Sequence, residues 1–224
     1  MSTAKPVIFL AFANDYSDDQ TRYLRELREE TRALQAILEE AQQQGWCEVV
    51  VRPYATIDDI LDVFLNYPDR IAIFHFAGHA NGYQLLLESA EGQVAVADAG
   101  GLAAFLGQQE GLQLVFLNGC STRQQVEGLL EVGIPAVIAT SWAIDDRTAV
   151  DFASRFYAGL AKKAPLRRAY NQAEAAIKIV QGNDFRGALR RVQEAPQDSW
   201  PWGLYSQEGS EVADLWSLVT YDQF

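Results

Sequence analysis

Ile71-Ala72-Ile73-Phe74-His75-Phe76-Ala77-Gly78-His79 and Leu114-Val115-Phe116-Leu117-Asn118-Gly119-Cys120-Ser121 are two of the most apolar stretches of the chain, and each ends in a reactive side chain. A run of β-formers that stops at a small residue and then a polar one is the exit of a buried strand. Parallel sheets carry their functional residues just beyond such exits. These two exits hold both histidines and one of the two cysteines. A thiol and an imidazole are therefore expected to face each other across one crevice, as a nucleophile and its base.

Outward from these stretches, strand and helix patterns alternate. Residues 7–13 are a continuous apolar run and read as a central strand. A loop over 14–19 comes next, with Ser17 or Asp18 placed to cap a helix. Leu24, Leu27, Thr31, Leu34, Leu38 and Ala41 recur every three or four residues, one stripe of a long amphipathic helix that Gly45 ends. Residues 46–52 are the next strand, and Thr56 caps a helix carrying Ile60, Leu61, Phe64 and Leu65. Segments 83–88 and 93–97 read as a β-hairpin inserted outside the alternation. Asp98 caps a short helix, Val126 to Leu130 mark another, and 134–140 is a strand delivering Ser141 and Trp142. Two further helices are centred around Phe152 and Ala173. Residues 182–199 are poorly patterned, and 201–205 reads as a short closing strand. The apolar segment 206–224 suits either a docked terminus or a lead into a further module. The expected architecture is α/β: a mostly parallel sheet, helices on both faces, right-handed crossovers and one small hairpin.

A chain of 224 residues is long enough for one well-packed α/β core. Its formal charge of −12 argues against nucleic acid, whose phosphates demand a basic face, and favours a basic substrate segment or partner. Two cysteines and two histidines neither build a disulfide framework nor show a metal set, and no cofactor is expected. Without a long apolar segment, no membrane span is expected. A soluble protein of a reducing, cytoplasmic compartment is the plain reading.

Attack on a peptide carbonyl needs a thiolate, and a free cysteine with a pKa of about 8.5 is only a few per cent ionised at neutral pH. An imidazole within roughly 3 Å takes the proton and returns it to the leaving amine. Cys120 sits between Gly119 and Ser121-Thr122 just before a helix pattern, where a positive helix end favours its anion. Backbone amides around Gly78 and Gly119-Cys120 are the candidates to receive the oxyanion. Gly78, lacking a Cβ, lets a substrate carbonyl or a loop backbone come close. His75 keeps the alternation of its strand, sharing a side with Ile71 and Ile73, whereas His79 lies past Ala77-Gly78 where the chain has left the sheet. His79 is thus assigned as general base and His75 as a supporting or structural residue. Cys47, inside the strand read over 46–52, reads as a small buried hydrophobe.

His-Phe-Ala-Gly-His at 75–79 and Leu-Asn-Gly-Cys-Ser at 117–121 resemble the histidine and cysteine motifs of the CHAT domains, caspase-like cysteine peptidases related to separases and caspases. Ile8 to Asn14, the Arg/Glu-rich helix, Trp142 to Asp146 and Pro201 to Tyr205 fit the same resemblance, which spans almost the whole chain. It implies a three-layer caspase-like fold, a single peptidase domain over 1–224, and His79 and Cys120 as the catalytic dyad. Gly119 stands where the family often has Ala. The family implies cleavage of specific protein targets by an effector in bacterial defence or regulated cell death, governed by a sensor module or partner chain.

A pocket beside the exits would read the substrate. Asp15, after the first strand, and Asp145 or Asp146, after Ser141-Trp142, are the acidic candidates for selecting a basic P1 residue. Asp145 and Asp146 equally suit capping of the next helix. Trp142 suits either a pocket wall or a loop anchor, and Asn118 suits tying the loop to backbone. The hairpin suits a groove rim. A catalytically silent or latent interaction domain is the competing expectation.

Overall fold

The structure is a computed structural model that describes residues 4–14, 24, 26–89, 94–181 and 200–219. Its elements run β1 (Val7–Ala13), α1 (Leu27–Gln43), β2 (Glu48–Arg52), α2 (Ile57–Asn66), β3 (Ile71–Gly78), β4 (Gln84–Glu88), β5 (Val94–Asp98), α3 (Ala99–Leu106), β6 (Leu114–Asn118), α4 (Val126–Glu131), β7 (Ala136–Thr140), α5 (Asp146–Ala161), α6 (Leu166–Gln181), β8 (Trp202–Ser206) and α7 (Val212–Leu215). Six strands form one sheet in the order β2-β1-β3-β6-β7-β8. All neighbours are parallel except β8, which runs antiparallel to β7.

Every residue of β1, β3, β6 and β7 is buried, which is why these strands read as unbroken apolar runs rather than alternating ones. Ile8, Leu10 and Phe12 turn to one face, packed by α1, α5, α6 and α7. Val7, Phe9 and Ala11 turn to the other, packed by α2, α3 and α4. Three layers result.

The caps agree with the residue pattern. Thr56 and Asp59 form a reciprocal capping box at α2, and the Asp98 carboxylate accepts from the Gly101 amide at the start of α3, 2.8 Å. One expectation about β3 fails: Ile71 does not share the side of Ile73 and His75. The β1–β3 register slips between Val7 and Ile8, so Ile71 joins Phe74 and Phe76 on the α2 face while Ala72 and Ile73 occupy the α1 face. A bulge moves one residue across the sheet and leaves the rest of the strand in phase.

The β4–β5 hairpin is antiparallel and separate from the main sheet, yet it is not a loose insertion. Leu85 and Leu87 are fully buried on the α2 side, and the Glu88 amide donates to the Ala55 carbonyl at 3.0 Å. In the C-terminal segment Trp216 is buried and its carbonyl accepts from the Leu166 amide at 3.2 Å. Among the described residues no helix is long and apolar enough to cross a membrane.

Candidate active site

β3 and β6 are neighbours with Ala77 opposite Asn118, so their exits leave the sheet side by side. The contact between them is tight. A Cβ on Gly119 would stand 2.8 Å from the Gly78 carbonyl oxygen and 2.8 Å from Ala80 Cβ. A Cβ on Gly78 would stand 2.5 Å from the Ala13 carbonyl oxygen of β1. Both glycines therefore answer to the packing of three strand ends against each other. Of the two uses expected for Gly78, close approach of backbone is the one seen.

His79 and Cys120 are both partly exposed and both line one narrow crevice. Its volume is about 30 Å³, space for little more than a water molecule. Gly78, Asn118 and Gly119 line it too, with Leu27 and Glu30 of α1 and Ile144 and Asp146 at the start of α5.

The loops that carry the two side chains are cross-braced. The Leu86 amide of the hairpin donates to the His79 carbonyl, 2.9 Å, and Gln125 Nε2 donates to the Asn81 carbonyl, 2.6 Å. The hairpin thus holds the histidine loop from one side and the chain after Cys120 holds it from the other. Ser121 takes a left-handed backbone conformation, φ 55°, and its amide donates to the Trp142 carbonyl at 3.3 Å. Thr140 Oγ1 donates to the Gly119 carbonyl, and Thr122 Oγ1 donates to the Leu117 carbonyl at 3.2 Å. The chain after Cys120 does not form the expected helix end: a single 3₁₀ turn over Thr122–Gln125 precedes the six-residue α4. Such short elements carry little macrodipole.

The other candidates separate clearly. His75 is fully buried among the rings of Phe12, Phe116 and Tyr157, with centroids 4.7–5.9 Å away. Asn118 is buried and makes three side-chain hydrogen bonds: Nδ2 donates to Glu30 Oε1 at 2.8 Å and to the Ala149 carbonyl at 3.3 Å, and Oδ1 accepts from Trp202 Nε1 at 3.2 Å. It ties β6 to α1, α5 and β8. Asp145 caps α5, accepting from the amide and hydroxyl of Thr148 at 2.9 and 2.8 Å. Asp146 lines the crevice. Trp142 is not among the crevice residues; its backbone anchors the cysteine loop. Asp15, Ser17 and Asp18 lie outside the described residues, as do 182–199. Cys47 is buried just ahead of β2, and burial pushes its thiol up to about 11. Among the described residues no cluster of three or more His, Cys, Asp and Glu could hold a metal.

Glu30 is the residue sequence reasoning passed over. It is 2% exposed, lines the crevice, and its Oε1 lies 3.4 Å from His75 Nε2. That approach lacks hydrogen-bond geometry, and neither His75 nitrogen has a hydrogen-bond partner. The signal was present: Glu30 falls three residues after Leu27 and four before Leu34, on the apolar stripe of α1.

The CHAT domain family model matches residues 2–207. Among solved structures, the chain is similar to the Arg-specific cysteine proteinase gingipain R at 12% identity and TM-score 0.58, covering 92% of this chain and 46% of that one. It is similar to a secreted C11 cysteine protease from Bacteroides thetaiotaomicron at 11% identity and TM-score 0.59, covering 91% and 66%. It is also similar to the Drosophila initiator caspase Dronc at 9% identity and TM-score 0.54, covering 90% and 79%. The chain thus spans less than half of the gingipain chain. At these identities the likeness concerns the fold. No curated protein matches.

Proposed function

The chain belongs to the CHAT domain family, and on that premise we propose that it is a cysteine endopeptidase in which Cys120 is the nucleophile and His79 the general base. The observation that supports this reading most is that both side chains line one crevice at adjacent exits of parallel strands. In the proposed reaction His79 takes the thiol proton and the Cys120 sulfur attacks the scissile carbonyl carbon. Backbone amides near Gly78 and Gly119 receive the oxyanion. His79 then protonates the leaving amine, and water hydrolyses the thioester. As an endopeptidase domain over 1–224 it would act in the cytoplasm on specific protein targets with a basic P1 residue. Its setting would be bacterial defence or regulated cell death, under control of a sensor module or partner chain. The excess of acid over base in the chain and Asp146 at the crevice support the P1 preference.

Mapping new N-termini in the presence of natural partner chains, for wild-type and Cys120→Ala protein, tests the reading. Cleavages that vanish with the substitution are expected, and cleavage retained by Cys120→Ala contradicts it. A second reading, a latent or silent interaction domain, is favoured by the narrowness of the crevice, which as it stands admits no substrate side chain. An alkylating probe for reactive thiols separates the two: labelling of Cys120 that depends on His79 supports the enzyme, and none in any partner-bound state supports the scaffold.

A further inference from the structure

Glu30 is the one buried carboxylate of α1. Burying a charge this deeply is costly unless partners surround it. Here Oε1 accepts from the neutral amide of Asn118 and approaches a His75 ring that makes no hydrogen bond to it. Oε2 accepts from none of the described residues, and no Lys or Arg among them pairs with Glu30. A carboxylate uses about four acceptor sites, so at least half of its capacity is unspent. The group nonetheless reaches the crevice that holds Cys120.

The chemistry of the remaining lining, though not its present width, matches a long cationic side chain. Leu27, Ile144, Ala149 and Val150 offer apolar wall for methylene groups. Glu26 and Asp146 add acid at the rim, and no Lys or Arg is among the described lining residues.

We propose that Glu30 is the specificity-determining residue that receives the guanidinium or ammonium head of a substrate Arg or Lys at P1. The inference rests on the peptidase reading and deepens it. The cation supplies the charge-assisted partner that the buried carboxylate lacks. Because the crevice is too narrow for the stem as it stands, the walls from α1 and α5 must part as the side chain enters. Asp145 is excluded from this role because it does not line the crevice and its Oδ2 is committed to capping α5 through Thr148. Glu30 touches no reacting atom, so its effect falls on choice of substrate and not on the chemical step.

Two readouts on the wild-type chain and the Glu30→Gln variant test this. Glutamine keeps the shape and the acceptor for Asn118, and circular dichroism checks its fold. The first readout is equilibrium binding of n-butylguanidinium against its uncharged isostere n-butylurea. The second is the rate of covalent labelling of Cys120 by a peptidyl acyloxymethyl ketone with Arg at P1 against one with citrulline. The expected result is guanidinium binding that weakens at least about tenfold in Glu30→Gln, and an Arg-over-citrulline preference of about a hundredfold that collapses in the variant. Glu30→Asp should recover part of it. A folded Glu30→Gln variant that binds the guanidinium and prefers Arg as strongly as wild type overturns the inference, as does wild-type protein that does not bind the cation. Glu30-dependent binding with no labelling by either probe would leave the cation site standing and overturn the peptidase reading instead.

Discussion

Each of the two histidines and each of the two cysteines has a counterpart in the other region of the molecule. Cys47 and His75 lie inside the packed layers, 1% and 0% exposed, whereas His79 and Cys120 lie beyond the strand ends around one crevice. His75 and His79 are four residues apart, yet one is enclosed by three aromatic rings and the other stands in a loop braced by a hairpin. Position relative to the strand exit, and not residue type, separates a packing group from one that reaches the crevice.

The largest effect should come from exchanging the cysteines. Cys120→Ala is expected to lower target cleavage by about 10³-fold or more with thermal unfolding unchanged. Cys47→Ala should leave cleavage intact and lower Tm by about 3 °C through the small void it creates. The reverse pattern would break the comparison.

The histidines should divide the same way. His79→Ala should slow cleavage by about 10²- to 10⁴-fold in a fully folded protein. His75→Ala should cost about 3 kcal/mol in urea unfolding, because the ring fills a closed space among Phe12, Phe116 and Tyr157. Gly119→Ala tests the contact between the two exits themselves. Its methyl would press on the Gly78 carbonyl and Ala80 at 2.8 Å, costing about 1–3 kcal/mol and lowering activity further by displacing Cys120.

A smaller effect concerns Glu88, whose carboxylate accepts from the Asn14 amide at the end of β1, 3.3 Å. Burial raises its pKa, and the hydrogen bond from Asn14 opposes that. With the folded value raised, the contribution of this carboxyl is full below its unfolded pKa of about 4.3. It is lost as pH rises through the folded value. Melting curves should therefore show wild type losing ground to Glu88→Gln as pH rises across that window, and a constant gap would contradict the assignment.

Much of this was legible in the residues. Unbroken apolar runs announced the buried parallel strands, Thr56 and Asp98 announced their helices, and the break in strand phase after Phe76 set His79 apart from His75. Three things were not legible. The side taken by Ile71 depends on a register slip that only pairing with β1 reveals. The chain after Cys120 looked helical because Val126, Leu129 and Leu130 recur at helical spacing, but that spacing begins too late to reach the cysteine. Glu30 was hidden because an acidic residue in an Arg/Glu-rich helix looks solvated until its place on the apolar stripe is counted. Its burial depends on Asn118 and His75, which come from strands far away in sequence.

The pairing of Cys120 with His79 is tested most directly by the rate at which each cysteine is alkylated at neutral pH, followed by peptide mass mapping in wild type and in His79→Ala. Cys120 should react at least about tenfold faster in wild type than in the variant, with Cys47 protected in both until the protein unfolds. Equal Cys120 rates in the two proteins would contradict the pairing.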